Sequence, residues 1–333
     1  MTDQLTRRAF VRDLIVLGGA APLIAAGADQ TRPPRLRRIG FMVGAGYPPL
    51  VTALMDELRK LGHVEGENIV VETRLSRPNS PDIATQAAEL AHMDLELIVA
   101  GSLPQALEVR KANPAMPMVI ATCPGMVSNG FAQSLERPGG NVTGMDELPP
   151  GVTTKRLTLL KTAAPKVSRI ALLSTTTPGR GGHEFQLADA QQAAPALGIE
   201  VKPYRAASLA ELKQALAASV ADGMNGLLNF QGGLSLANRQ LIVDFAAEHR
   251  LPAIYQATLF AEAGGLMAWA PDLENQYRMA ARFVDKILKG AKPGDLPIEH
   301  PPHYYLTIHS GAAQKLGLTL PAALLAQAHR VLA

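Results

Sequence analysis

The chain has 333 residues with one cysteine and one tryptophan, and its 32 basic and 29 acidic side chains leave a net charge of only +3. So even a balance excludes the clustered Lys and Arg of a nucleic-acid binder, and the lone Cys123 excludes an internal disulfide. Hydrophobic residues make up 47% of the chain, enough for one large or two medium cores.

The first feature in chain order is TRRAFVRDL, followed by the apolar run LIVLGGAAPLIAAGA from Leu14 to Ala28. A membrane span needs about 20 strongly apolar residues, and this run is short and broken by three glycines and Pro22. A basic segment, an apolar stretch and a small-residue end at Ala26-Gly27-Ala28 read as a signal peptide over residues 1–28. Thr6 to Arg12 further resembles a twin-arginine export address. Asp29 follows where a lipid-carrying cysteine would stand, so a soluble protein exported to the periplasm is expected.

Beyond the leader, short β-branched runs alternate with amphipathic segments, the pattern of parallel βα units. The first half reads RRIGFMV, a helix ending at Leu61-Gly62, NIVVETR, a helix, LELIVAGS, a helix and MPMVIATC. The second reads SRIALLS, a helix ending at Leu197-Gly198, IEVKPYR, a helix, NGLLNFQG, a helix and LPAIYQA. The spacing repeats: Ile39 and Ile98 are 59 residues apart, and Ile170 and Leu228 are 58. Continuous apolar strands suit sheets covered by helices on both faces. The expected fold is therefore α/β, with two doubly wound, Rossmann-like parallel-sheet lobes.

SLERPGGNVTGMDELPPG, rich in Gly and Pro, forms a turn-rich connection between the halves. After the second half come GGLMAWAP, a long helix from about Leu273 to Gly290, the strand YYLTIH and a closing helical stretch. This leaves one strand for each lobe and predicts a three-segment hinge, with crossings near Met145, Met267 and Leu306. The expected first lobe is residues 36–145 plus about 267–305, and the second is 146–266 plus about 306–333.

Ligands of open parallel sheets bind at the carboxyl ends of the strands. In the first half those ends carry Gly44 to Tyr47, Gly101, Ser102 and Thr122 to Gly125; in the second, Thr175, Thr176, Gln231, Gly232 and Gln256. Ser102 precedes a helix, so it can cap that helix or hold a carboxylate against its N-terminus. Cys123 lies on the same edge and joins the candidate contacts, although a small buried residue is its commoner role.

Two other chemistries compete. Gly44-Ala45-Gly46 after a strand, with Glu72 ending the next, is a partial dinucleotide fingerprint, but Pro49 stands where a third glycine belongs. A nicotinamide-dependent oxidoreductase is thus an alternative. His300, His303 and His309 fall in a proline-broken loop and strand, a poor frame for a metal. No P-loop lysine or Gly-x-Ser-x-Gly elbow appears, so no cofactor or catalytic group is expected.

RPGGNVTG, KRLTLLKTAAP, HRLPAIY, EAGGLMAWAPD, RFVDKILKGAKPGDLPIEHP and KLGLTLP together resemble the ABC transporter substrate-binding proteins of the tryptophan/tyrosine type, from about Arg38 to Val331. The resemblance implies a type I periplasmic-binding fold, a monomer that closes on a small organic solute and delivers it to permease subunits in the inner membrane. It implies no enzyme activity; a sensor for a membrane signalling partner is the variant of that role. By position it puts ligand contacts on Tyr47, Ser102, Gly144, Met145, Asp146, Thr175, Gln231 and Gln256. The chain departs from the family at Gly125-Met126, where an Asp-Pro pair is usual, and at Thr175-Thr176, where Asn-Pro is usual. The lost aspartate weakens the expectation of an amino-acid ligand.

Overall fold

The computed structural model describes residues 36–44, 48–76, 82–175, 182–230 and 232–333. The first half gives β1 (Arg37–Gly44), α1 (Pro48–Lys60), β2 (Ile69–Ser76), α2 (Asp82–Ala91), β3 (Leu97–Ala100), α3 (Leu103–Ala112), β4 (Met118–Cys123) and β5 (Val142–Asp146). The second gives α4 (Val152–Ala163), β6 (Arg169–Ser174), α5 (His183–Ala193), β7 (Glu200–Arg205), α6 (Leu209–Ala221), β8 (Gly226–Asn229), α7 (Gly233–Ala237), α8 (Arg239–Glu248), β9 (Ala253–Tyr255), α9 (Thr258–Glu262) and β10 (Met267–Pro271). The tail adds α10 (Leu273–Leu288), β11 (Tyr304–His309), α11 (Ser310–Lys315), α12 (Ala322–Gln327) and β12 (Arg330–Leu332). Among the described residues no helix is long and apolar enough to cross a membrane.

Two sheets result, ordered β2-β1-β3-β4-β5 and β12-β11-β10-β9-β8-β6-β7. The predicted repeat is visible in their registers. Ile39 pairs with Leu97 in the first sheet and Ile170 with Gly226 in the second, both in parallel. Each sheet is covered on both faces: Ile39, Phe41 and Val43 face one core, Met42 and Ala100 the opposite one, as period-two alternation requires.

The long helix α10 starts where Asp272 accepts a hydrogen bond from the Asn275 amide at 3.0 Å, and it stops before Gly290, whose φ is +102°. Its stripe Tyr277, Ala281, Val284 and Leu288 packs into the core around Phe41 and Val119 of the first sheet.

The expected lobe boundaries place Met267 to Pro271 in the first lobe and expect parallel sheets, whereas β10 pairs in parallel with β9 and antiparallel with β11, so it belongs to the second sheet and makes that sheet mixed. The Gly264-Gly265 turn brings the chain straight back beside β9; a Cβ on Gly265 would stand 2.5 Å from the Tyr255 ring. The chain thus passes to the first lobe at Asp272 rather than near Met267, and it returns at 300–303, ahead of Leu306. The expected helical tail also ends differently, because β12 adds a parallel edge strand to β11.

The connections are tied to one another at a single point. The Tyr304 hydroxyl donates to the Glu147 carbonyl at 2.7 Å, and the Gln276 amide donates to the Glu147 carboxylate at 3.2 Å. His300 hydrogen-bonds the Asp146 carbonyl at 2.7 Å through Nδ1. Glu147 is therefore a residue of the hinge.

Candidate ligand-binding site

A cavity of about 170 Å³ lies between the carboxyl edges of the two sheets. Ser102, Leu103, Pro104, Thr122 and Pro124 wall it from the first lobe. Gly232, Gly233, Leu236, Gln256 and Pro271 wall it from the second, and Glu147, Leu148 and Arg156 close it at the hinge side. A wider cleft of about 720 Å³ shares Glu147, Gln256 and Pro271 with it and extends toward Pro49 and Leu50.

Ser102 sits at the N-terminus of α3, but its side chain makes no capping bond. Its hydroxyl instead donates to Gln105 Oε1 at 3.0 Å; Gln105 donates to Ser76 Oγ at 2.6 Å, and Ser76 to the Val43 carbonyl at 3.3 Å. Thr122 likewise spends its proton, on the Gly101 carbonyl at 2.8 Å. Both hydroxyls keep their lone pairs, so this wall can accept hydrogen bonds from a solute.

Glu147 is partly buried, and its carboxyl is raised from the usual range to about 7. Burial is the main cause; the Gln276 hydrogen bond opposes it, Asp146 adds to it and Arg156 opposes it. Arg156 is 2% exposed and donates from Nε to the Trp269 carbonyl at 3.1 Å. Burial lowers its guanidinium to about 10, so it stays charged at neutral pH.

Of the residues expected from sequence, Ser102, Thr122, Pro124, Gly232 and Gln256 line the cavity. Gln256 also reaches the wider cleft and donates to Gln186. Tyr47, Thr176 and Gln231 lie outside the described residues. Gly101, Gly144 and Met145 are buried in the first lobe and do not line the cavity. Asp146 is spent within its own lobe: its carboxylate accepts from the amides of Gly125, Met126 and Leu148 at 3.1, 2.7 and 2.9 Å. Thr175 accepts from the Ser235 amide at 3.1 Å and so positions α7. Cys123 is fully buried in the core with Met126 and Phe131, and burial, reinforced by Asp146 and Glu147, pushes its thiol well up.

Glu147 and Arg156 are the charged members of the site that sequence reasoning passed over. Arg156 carries a readable signal. Val152, Arg156, Leu160 and Ala163 form the buried stripe of α4, and a charge on an apolar stripe is a buried charge.

A sequence model of the family described as ABC transporter substrate binding protein matches residues 41–332. The chain belongs to that family. ABC substrate-binding proteins are extracytoplasmic receptors that bind small solutes and hand them to a permease. A Clostridioides difficile (strain R20291) relative described as a tyrosine-binding protein is 24% identical over 272 residues, which is 81% of this chain and 77% of that one. A Streptococcus pneumonia ABC domain solved in complex with L-Trp superposes with a TM-score of 0.81 at 22% identity, over 89% of this chain and all of that one. The ligand-free, open structure of a substrate-binding protein with adhesive properties from Clostridium difficile gives 0.68 at 24% identity, over 89% and 99% of the two chains. These likenesses, with the two mostly parallel sheets, show a type I periplasmic-binding fold, and the chain acts as a substrate-binding protein of an ABC transporter.

Proposed function

We propose that this substrate-binding protein captures an amine-bearing organic solute, an amino acid or an aromatic analogue of one, in the cavity between its lobes. The acceptor wall carries the reading. Ser102 and Thr122 have spent their protons on protein partners, and Glu147 adds a carboxylate beside them. An ammonium group needs such acceptors. The carboxylate that the sequence lacks at Gly125-Met126 is thus supplied by Glu147, from the hinge. The tyrosine named for the Clostridioides difficile relative and the L-Trp held by the Streptococcus neighbour agree with this class.

The chain makes and breaks no bond with its solute. An open form binds it on one lobe, and closure about residues 147–151, 272 and 300–303 adds contacts from the other, so affinity arises from contacts present only in the closed state. Residues 1–28, read as a twin-arginine signal, direct export to the periplasm, where the chain works as a monomer beside an inner-membrane permease.

A thermal-shift screen of the mature chain with amino acids, aromatic acids, polyols and nucleotides tests the reading. One amine-bearing class should raise stability by about 2.7 kcal/mol at a hundredfold excess over Kd. Stabilisation by a nicotinamide dinucleotide alone would overturn it. Ser102→Ala should weaken binding of the stabilising solute by roughly fivefold, the value of one hydrogen bond. It should lower the unfolding free energy by only about 1 kcal/mol, because no capping bond is lost and the bond to Gln105 is the one that goes. Calorimetric titration and a denaturant melt read the two numbers.

A further inference from the structure

Arg156 is a buried cation without an anion. Its guanidinium has five donors in a planar fork, of which Nε meets the Trp269 carbonyl at 3.1 Å, while Nη1 is buried with no partner. The Tyr304 hydroxyl and two carboxylates, Glu147 and Asp189, act on it electrostatically, and each carboxylate is engaged elsewhere. Asp189 accepts from the amides of Thr153 and Thr154 at 2.9 and 3.2 Å and from the Thr154 hydroxyl at 2.7 Å. Glu147 takes the Gln276 amide at 3.2 Å. No carboxylate among the described residues stands within ion-pair distance of Arg156. A buried charge left in this state is costly, and the cost is relieved when an anion arrives with matching geometry. Arg156 also lines the cavity between the lobes.

We propose that Arg156 anchors an anionic group of the solute, a carboxylate or its equivalent, by a charge-assisted hydrogen bond formed in the cavity. The inference rests on the receptor reading above and adds a second pole to it. The acceptor wall of Ser102, Thr122 and Glu147 takes the donor end of the solute, and Arg156 takes the anionic end. The site then selects solutes by charge: a carboxylate satisfies the waiting donors, whereas the neutral amide of the same shape leaves a buried guanidinium unpaired. Arginine suits this role better than lysine, since its planar fork is matched to a carboxylate and is always charged.

The test pairs each acid with its amide: L-tryptophan with L-tryptophanamide, L-tyrosine with L-tyrosinamide, L-leucine with L-leucinamide, and 3-phenylpropionate with its amide. Calorimetric titration of the wild-type chain should give at least one pair in which the acid binds 30-fold or more tighter. Arg156→Gln should bring that ratio within about threefold, and Arg156→Lys should recover part of it; a residue that merely braced Trp269 would weaken acid and amide alike and leave the ratio in place. If Arg156→Gln does not fold, the wild-type ratio and the Arg156→Lys variant decide. Equal binding of acid and amide by the wild type overturns the anchor and leaves the receptor standing. Binding of a neutral polyol, with none of the acids bound, does the same. No binding of any solute across the panel and the polyols overturns the receptor reading and the anchor with it.

Discussion

Gly144→Ala is expected to cost about 4 kcal/mol or more of folding free energy, enough to shift a denaturant midpoint far below that of the parent chain. Gly144 lies in β5 opposite Ile120 of β4, with φ at +138°. A Cβ there would stand 2.1 Å from the Ile120 carbonyl oxygen and 2.7 Å from its nitrogen. Both are backbone atoms of a central strand, so no rotamer change can make room. The strain would spread, because the Gly144 carbonyl accepts the Glu299 amide at 3.0 Å and Asp146, two residues on, holds the 125–126 turn. Gly151→Ala is the control. It has φ at +79° but nothing within 4 Å of the added atom, so only the backbone penalty of about 1 kcal/mol applies. A Gly144→Ala chain as stable as the Gly151→Ala chain would refute the close approach of β4 and β5.

The second large effect is one of pH. The carboxyl of Glu147 is raised in the folded chain to about 7 from its ordinary 4.5, so the folded chain holds that proton more tightly than the unfolded one. Its contribution to the stability of the unliganded protein is therefore full below about pH 4.5 and lost as pH rises through about 7. Allowing for the partial exposure of the group, the loss is about 2 kcal/mol. Glu147→Gln should remove this slope and leave the empty protein more stable than wild type at pH 8, as equilibrium unfolding between pH 5 and 8 will show. Solute binding should run the opposite way. An ammonium group needs the ionised carboxylate, so wild-type affinity should rise about tenfold from pH 6 to pH 8. Glu147→Gln should bind weakly and without that dependence. A wild-type affinity that is flat across this range would remove Glu147 from the site.

Much of the architecture is legible along the chain. Strands such as LIVA and IALL are apolar throughout because they lie between two helical layers, and that burial is a property of each segment. The termini of α10 could be placed within two residues because Asp272 and Gly290 act locally on the backbone. The carboxyl-edge rule picked out Ser102, Thr122, Pro124, Gly232 and Gln256 as facing the space between the lobes, since a strand's end fixes where the next residues point.

What each side chain does there was not legible. Ser102 stands at an N-cap position, yet its hydroxyl turns to Gln105, because Ser76 at the end of β2 fixes the Gln105 amide. Asp146 stands beside the cavity in sequence, yet three backbone amides occupy it. Glu147 and Arg156 became part of one site only when the hinge segments closed on each other, bringing Gln276 and Trp269 against residues more than 100 positions away.

Taken alone, the residues determined two mostly parallel sheets, their helical layers, the edge on which a ligand must lie and membership of the substrate-binding family, because hydrophobic period, turn chemistry and motif spacing act within a few tens of residues. The tertiary structure decided which sheet received β10 and β12, which acids were already consumed, and which two charges were left facing the cavity. Those outcomes depend on hydrogen-bond competition and desolvation between distant segments, and such terms exist only once the segments meet.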